Sequence, residues 1–194
     1  MAKRKKVATK NELESFLRSL AKYDTESGVE TCLPELLLED GSWFEGRADS
    51  DDYAVTKKWK KKRKPKAQDC YYNSQEFCAK DNGSRYFEGF VLILAGIIPS
   101  EHCWVVMQDG RVVDFTLEAA EVVVAEKGHT VDLRGAVYVG LEVPRAFIVE
   151  NLDETGWCGP IAELFYADDM KRIADGGQGP TKSPRGRKRP SKQT

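Results

Sequence analysis

The chain has 194 residues, of which 41% are apolar and 31% charged, and its formal net charge is −1. This length indicates one domain with terminal extensions, and the apolar fraction suffices for one ordinary core. A nearly neutral chain carries no overall field that favours nucleic acid or membrane surfaces. The longest apolar run, residues 90–99, is interrupted by Gly96 and is far shorter than the roughly 20 residues of a membrane span.

Cysteine usage and the N-terminus indicate a reduced, intracellular setting. The basic residues 1–6 are not followed by the apolar stretch of a secretory signal. An odd number of cysteines without compact framework spacing does not favour disulfide bonds. We therefore expect a cytoplasmic protein that does not associate with membranes. The five cysteines are Cys32, Cys70, Cys78, Cys103 and Cys158.

Charge is unevenly distributed along the chain. Residues 35–52 hold seven acids, residues 57–66 hold eight bases, and the segment after Gly176 holds six more bases. Runs of like charge repel and stay solvated, so they are typical of loops and tails rather than of a packed core.

The charge pattern and the hydrophobic pattern together predict the domain organisation. Residues 1–10 form a basic arm, residues 11–175 a single α+β domain, and residues 176–194 a disordered basic tail. Within the domain, residues 35–66 are an acidic and basic loop region, and residues from about 68 to 145 hold the motifs described below.

Hydrophobic periodicity predicts the elements of the N-terminal half. Asn11 and Glu14 form a capping signal, and apolar residues then recur at helical spacing as far as a helix end near Tyr23. Residues 24–56 are predicted as loop with short elements, and residues 57–66 as a solvated basic segment.

The second half is richer in strand patterns. A helix is predicted over residues 73–80, with Asp69 or Cys70 at its start. Asp109-Gly110 between two apolar runs favours a two-residue primed turn and predicts a hairpin. The strands are predicted over residues 86–98, 103–107, 111–115, 122–125 and 136–143, and a closing helix over residues 160–174.

Three residues in this half have the types and order of a nucleophilic site. Cys70 begins the predicted helix, His102 opens a strand 32 residues later, and Asp114 closes the next strand after 12 more residues. A helix N-terminus and an adjacent imidazolium lower the pKa of a thiol. A carboxylate on the far ring nitrogen fixes the histidine tautomer. A hairpin brings His102 and Asp114 together, since adjacent strands are about 5 Å apart.

This block resembles the transglutaminase-like, or papain-like, cysteine domains. A cysteine at a helix start, a strand with glycine, His-x-Trp-Val, Asp-Gly and Val-Asp-x-Thr follow each other in that family's order. The resemblance covers roughly residues 68–117. Small phage and bacterial proteins are similar to this block. The matching segments are Cys70-Tyr-Tyr-Asn73, Tyr86-Phe-Glu-Gly89-Phe, His102-Cys-Trp104-Val-Val and Val113-Asp114-Phe-Thr116.

The resemblance implies a fold and an activity. The fold is α+β, with N-terminal helices packed on an antiparallel sheet and a catalytic core of about residues 68–145. The activity is cysteine-dependent acyl transfer on a peptide or a small amide or ester, through a thioester held by Cys70. The protein would act in the host cytoplasm if a phage encodes it. Phe115 replaces the proline that usually follows the acid, and Cys103 fits the small residue that usually follows the histidine.

Two further residues are candidates for the pocket. Gln68, two residues before Cys70, is a candidate donor to an oxyanion, and the backbone N–H of Cys70 is the alternative. Trp104 either walls the site or belongs to the core. A zinc site built from Cys70, Cys78, His102 and Cys103 is not expected, because no Cys-x-x-Cys pair exists and Cys103 should point away from His102. We expect no cofactor and no metal.

A binding protein is the alternative to an enzyme. An idle relative of the same scaffold would dock nucleic acid or a host protein through its basic segments. Trp59, the one aromatic residue of the basic run, would then stack on a base or fold back onto the core. Nonspecific contact to phosphates would come from Lys57, Lys58, Lys60, Lys61, Lys62, Arg63 and Lys64.

Overall fold

The computed structural model describes residues 8–27, 33–94, 97–129 and 131–167. In these ranges the chain forms seven α-helices, one short 3₁₀ helix and five β-strands. The helices are α1 (Lys10–Ser27), α2 (Leu33–Asp40), α3 (Ala54–Arg63), α4 (Cys70–Lys80), α5 (Phe115–Glu126), α6 (Arg145–Thr155) and α7 (Ala162–Phe165), and the 3₁₀ helix covers Ser50–Asp52. The strands are β1 (Ser42–Glu45), β2 (Arg85–Leu92), β3 (Ser100–Val106), β4 (Val112–Val113) and β5 (Val137–Val143).

The five strands form one sheet in the order β1-β5-β2-β3-β4, and every neighbouring pair is antiparallel. β2 lies at the centre and pairs along its length with β3 on one side and β5 on the other. β4 is so short that it pairs with β3 only at Val105 and Val106. The predicted α+β class with helices and an antiparallel sheet is confirmed.

The two faces of the sheet bury different apolar clusters. The larger cluster joins one face to α1, α2, α3, α4, α6 and α7. The smaller cluster holds Phe87, Trp104 and Tyr138 on the other face and is covered in part by α5. Because side chains alternate along a strand, Cys103 points towards the larger cluster, whereas His102 and Trp104 point towards the smaller one.

The prediction of a loop region over residues 35–66 is wrong in most of its length. α2, β1, the 3₁₀ helix and α3 all lie in it. The basic run folds because α3 buries Trp59 against the rings of Phe77 and Phe115, with centroids 5.6 and 4.6 Å apart. Lysine is a good helix former, so the buried Trp59 can hold a helix most of whose charges face solvent, with Lys60 paired to Glu118 as a further tie.

The predicted strand over residues 122–125 is also wrong, because these residues belong to α5. Asp114 caps the N-terminus of α5 by accepting from two backbone amides. Glu118 and Glu121 then form ion pairs with the buried Arg47. A strong helix start and two ion pairs to the buried Arg47 outweigh the β-propensity of three consecutive valines.

The hairpin between β3 and β4 is confirmed, but its turn is not the predicted two-residue type. The Met107 amide donates to the Arg111 carbonyl, and the Gly110 amide donates back to Met107, both at 2.9 Å. Gly110 has φ of 85°, whereas Asp109 does not have a positive φ. A primed turn of type I′ needs positive φ at both central residues, so the connection is a three-residue loop that ends in a left-handed glycine.

Element ends differ from the predictions by a few residues. Thr9 and Glu12, not Asn11 and Glu14, cap α1 by bonding to each other's backbone amides. β2 ends at Leu92, and α7 is the described part of the closing helix predicted over residues 160–174. Most of the predicted basic arm and the whole predicted tail lie outside the described residues. Among the helices that are described, none has the length and apolar character needed to cross a bilayer.

Candidate active site

Cys70 is the first residue of α4, where unpaired backbone amides favour a negative charge. The side chain is half-buried. The first turn of α4 is held in place by Asn73, whose amide donates to the Lys66 carbonyl and to the Thr116 hydroxyl, both at 2.8 Å. Since Thr116 lies in the first turn of α5, this buried bond joins the helix of Cys70 to the helix that Asp114 caps.

His102 and Asp114 form a buried pair. The Nε2 atom of His102 lies 2.7 Å from the Oδ2 atom of Asp114, and both side chains are almost fully buried. This bond leaves the Nδ1 atom of His102 as the nitrogen that can serve Cys70. His102 and Asp114 are therefore neighbours, as the sequence predicts. Asp114 stands at the start of α5.

The Asp114 carboxylate accepts four hydrogen bonds. Its Oδ1 atom accepts from the backbone amides of Thr116 and Leu117 at 3.1 and 2.9 Å. Its Oδ2 atom accepts from His102 and from the Tyr138 hydroxyl, the latter at 3.2 Å. One oxygen therefore begins α5 while the other holds the imidazole, and a carboxylate so fully paired is held ionised and in one orientation.

The pKa shifts of Asp114 and His102 favour opposite charges on the two side chains. Burial raises the pKa of the Asp114 carboxyl, but the charge and hydrogen bond of His102 and the Leu117 amide lower it more, so the net shift is downward. Burial lowers the pKa of the His102 imidazole, whereas the charge and hydrogen bond of Asp114, together with those of Cys70, raise it to about 10. His102 is therefore an imidazolium at neutral pH.

The pKa of the Cys70 thiol shifts in the direction opposite to that of His102. A hydrogen bond from the Cys103 thiol is the largest influence and lowers the pKa of Cys70. Burial raises this pKa, and the hydrogen bond and charge of His102 lower it again, with a result of about 5. At neutral pH Cys70 is therefore a thiolate that faces an imidazolium, which is the ground state of an activated cysteine nucleophile.

The short β4 explains how Cys70 contacts two residues from opposite faces of the sheet. β4 leaves the edge of β3 open beyond Val105, and α4 packs there. The Ser74 hydroxyl of α4 lies 3.5 Å from the Cys103 carbonyl, and the backbone amide of Cys103 is among the groups that lower the pKa of Cys70. The side chains of His102 and Cys103 flank the same edge, one on each face, so both reach the sulfur.

The two other predicted pocket residues differ in exposure. Gln68 is exposed in the turn before α4, with φ of 74°. Trp104 is fully buried in the smaller cluster, 5.0 Å between ring centroids from Tyr138. Trp104 is thus a core residue, and it packs against the tyrosine that bonds to Asp114.

Sequence reasoning missed two contributors to the site. Cys103 was assigned away from His102, which is correct for its face, but its thiol still reaches Cys70. Tyr138 lies on β5, two strands away from β3, and the sequence predicts it only as part of the strand over residues 136–143. No described cluster of three or more histidine, cysteine or acidic side chains has an arrangement that could hold a metal ion.

Comparison of the chain with protein-family models, with curated proteins and with solved structures finds no match. The geometry of Cys70, His102 and Asp114 is therefore the feature of this protein that bears on its function.

Proposed function

We propose that this protein is a cysteine-dependent acyl-transfer enzyme with a transglutaminase-like, or papain-like, core. Its substrate would be a peptide or a small amide or ester, and the product would come from hydrolysis or from transfer to an amine. The observation that carries the proposal is the buried 2.7 Å bond between His102 and Asp114, with the Cys70 thiolate on the other side of the imidazolium.

The proposed reaction has two halves. The Cys70 thiolate attacks the substrate carbonyl carbon, a C–S bond forms, and the backbone amide of Cys70 at the helix start donates to the developing oxyanion. The intermediate collapses with cleavage of the C–N or C–O bond, and His102 gives its proton to the leaving amine or alcohol. A water or an amine then attacks the thioester, His102 takes its proton, and the Cys70 thiolate leaves.

The first test is the alkylation of Cys70 by iodoacetamide at pH 6. A thiol with a pKa of about 5 is mostly ionised there, whereas an ordinary thiol is ionised to well under 1%. Because a thiolate of lower pKa is intrinsically less nucleophilic, most of that advantage cancels, and we expect a net excess of about tenfold over the other cysteines. Mass-spectrometric mapping of labelled peptides gives the rate at each cysteine.

The matched control uses the two histidines of the chain. His102→Ala should slow the alkylation of Cys70, because it removes the charge and hydrogen bond of the imidazolium, whereas His129→Ala, at an exposed position, should leave the rate unchanged. Equal rates at Cys70 and Cys158 in the unaltered protein would contradict the proposal.

α3 supports a second candidate function, nonspecific binding of nucleic acid or docking of a host protein. Trp59 is buried and therefore cannot stack on a base. Lys60 is bound to Glu118, and Arg63 to Glu76. The other lysines of α3 and Lys64 at its C-terminus are exposed and present a positive surface, which consists of Lys57, Lys58, Lys61, Lys62 and Lys64.

If this surface binds phosphates, the logarithm of the binding constant for a mixed-sequence DNA duplex should fall linearly with the logarithm of the salt concentration. Neutralising Lys58, Lys61 and Lys62 to glutamine should reduce the slope by about 0.9 for each phosphate contact that is lost. Neutralising Lys22 and Lys127, which are exposed elsewhere, is the control. Fluorescence anisotropy measures both, and a slope that is the same in both variants would remove the nucleic-acid form of this function.

A further inference from the structure

Cys70 has a second cysteine against its sulfur. Cys70 packs against the apolar cluster that holds the buried Cys103, and the Cys103 thiol is the largest influence on the pKa of the Cys70 thiol. The Ser74 hydroxyl, one turn along α4, lies 3.5 Å from the Cys103 carbonyl and so fixes the approach of α4 to β3 at this point. A thiolate held against a thiol is the starting geometry for a disulfide.

The other described cysteines do not share this position. Cys78 is fully buried beside the Ser84 hydroxyl, and burial raises its pKa to about 12. It lies eight residues after Cys70 on the same helix, which is about 12 Å along the axis. Cys158 adjoins Glu76 and Lys80, further along α4 than the catalytic end. Cys103 is therefore the one described cysteine that contacts the Cys70 sulfur.

The two thiols differ in solvent exposure, and this difference decides which of them an oxidant meets first. Cys70 is half-buried and can meet a small oxidant, whereas Cys103 has no exposed surface. A hydroperoxide would therefore react first at Cys70, which is also the more nucleophilic sulfur. Cys103 then faces the oxidised sulfur from a side that solvent does not reach.

We propose that Cys70 and Cys103 form a reversible disulfide on exposure to a hydroperoxide, which switches the acyl-transfer site off and protects its nucleophile. The Cys70 thiolate attacks the peroxide, an S–O bond forms as the O–O bond breaks, and the released alkoxide or hydroxide takes a proton. The sulfur of Cys103, losing its proton, then attacks Cys70 and displaces hydroxide, which leaves as water. The peroxide is reduced by two electrons, the thiol pair is oxidised, and a dithiol reverses the change.

This inference rests on the proposed function only in needing a reactive Cys70 thiolate. The disulfide occupies the attacking sulfur, so acyl transfer stops while the bond exists. It also removes the sulfenic acid that would otherwise be oxidised further to the sulfinic acid, a step that a dithiol does not reverse. Cys103 therefore has two roles towards Cys70, as a hydrogen-bond donor to the thiolate and as the resolving thiol after oxidation.

The test treats the full-length protein with hydrogen peroxide, blocks free thiols with iodoacetamide and maps peptides without reduction. We expect a cross-linked pair of peptides that contain Cys70 and Cys103, lighter by the two hydrogens lost. Dithiothreitol should restore the alkylation of Cys70 to its untreated level. Cys103→Ala should instead accumulate sulfinic acid at Cys70 and lose alkylation irreversibly, whereas Cys158→Ser should behave as the unaltered protein.

Two outcomes overturn the disulfide, and both differ from a failure of the proposed function. One is sulfinic acid at Cys70 in the unaltered protein without a cross-link to Cys103. The other is a cross-link from Cys70 to any other cysteine, Cys32 included. Alkylation before peroxide treatment tests the proposed function separately, since an unreactive Cys70 shows there as a rate equal to that of Cys158.

Discussion

Replacement of Asp114 by asparagine is expected to lower turnover by about 10⁴-fold while the protein stays folded. Asparagine caps helices as well as aspartate does, and its amide oxygen can accept from the Thr116 and Leu117 amides in place of Oδ1. Its NH₂ group would then face His102 where a carboxylate oxygen was. The imidazole would turn its unprotonated nitrogen to that amide and its N–H to Cys70, so the thiolate–imidazolium pair is lost.

Two measurements and two controls isolate this effect. Thermal melting checks the fold, and alkylation of Cys70 at pH 6 reports the thiolate before any substrate is known. Asp114→Ala removes both the cap and the orienting oxygen, so it should also cost about 1 kcal/mol of stability. Tyr138→Phe removes only the hydrogen bond from an uncharged donor to Oδ2 and should have a far smaller effect on alkylation. Normal alkylation and turnover in a folded Asp114→Asn protein would show that Asp114 is only a helix cap.

Substitution of Gly89 by alanine is expected to destabilise the fold by about 4 kcal/mol or more, a value that few single substitutions reach. Gly89 lies in the central strand, opposite Gly140 of β5 and opposite His102 of β3. A Cβ atom at position 89 would overlap the Val139 carbonyl oxygen and lie 2.7 Å from the Gly140 Cα. These are backbone atoms of the sheet, so β2 and β5 would have to separate.

Chemical denaturation of the variant measures the loss, and Gly110→Ala is its control. Gly110 has φ of 85° but open space around its Cα, so a methyl group there meets only the strain of a left-handed backbone, about 1–2 kcal/mol. An equal loss in both variants would mean that the close approach of β2 and β5 contributes nothing. Because Gly89 pairs with His102, the alkylation of Cys70 should fall together with stability in Gly89→Ala.

The sequence was most informative where a residue's role is set by its own local element. Cys70 at a helix start, the hairpin around Gly110, and His102 and Asp114 on either side of that hairpin are all short-range features. Each depends on a capping residue, a turn residue or a spacing of a few residues. The predicted helix at Cys70, the hairpin and the proximity of His102 to Asp114 accordingly agree with the structure.

The sequence was least informative where the partner lies far along the chain. Periodicity assigned Cys103 to a face of its strand but could not show that α4 covers the edge beside it. The basic run around Trp59 looked solvated, because the rings of Phe77 and Phe115 that bury this tryptophan belong to other helices. The valines of α5 indicated a strand, because the buried Arg47 that binds the acids of this helix lies about 70 residues earlier.

The shortness of β4 affects the tendency of the sheet to aggregate as well as the position of Cys70. A sheet edge with unpaired amides and carbonyls is a template on which another chain can add a strand and begin to aggregate. In this protein the open edge of β3 at Cys103 is occupied by the N-terminus of α4, which brings Cys70 to it. The docking of α4 therefore shields this edge from pairing with another chain, so the contact that brings Cys70 to Cys103 also guards the sheet against aggregation.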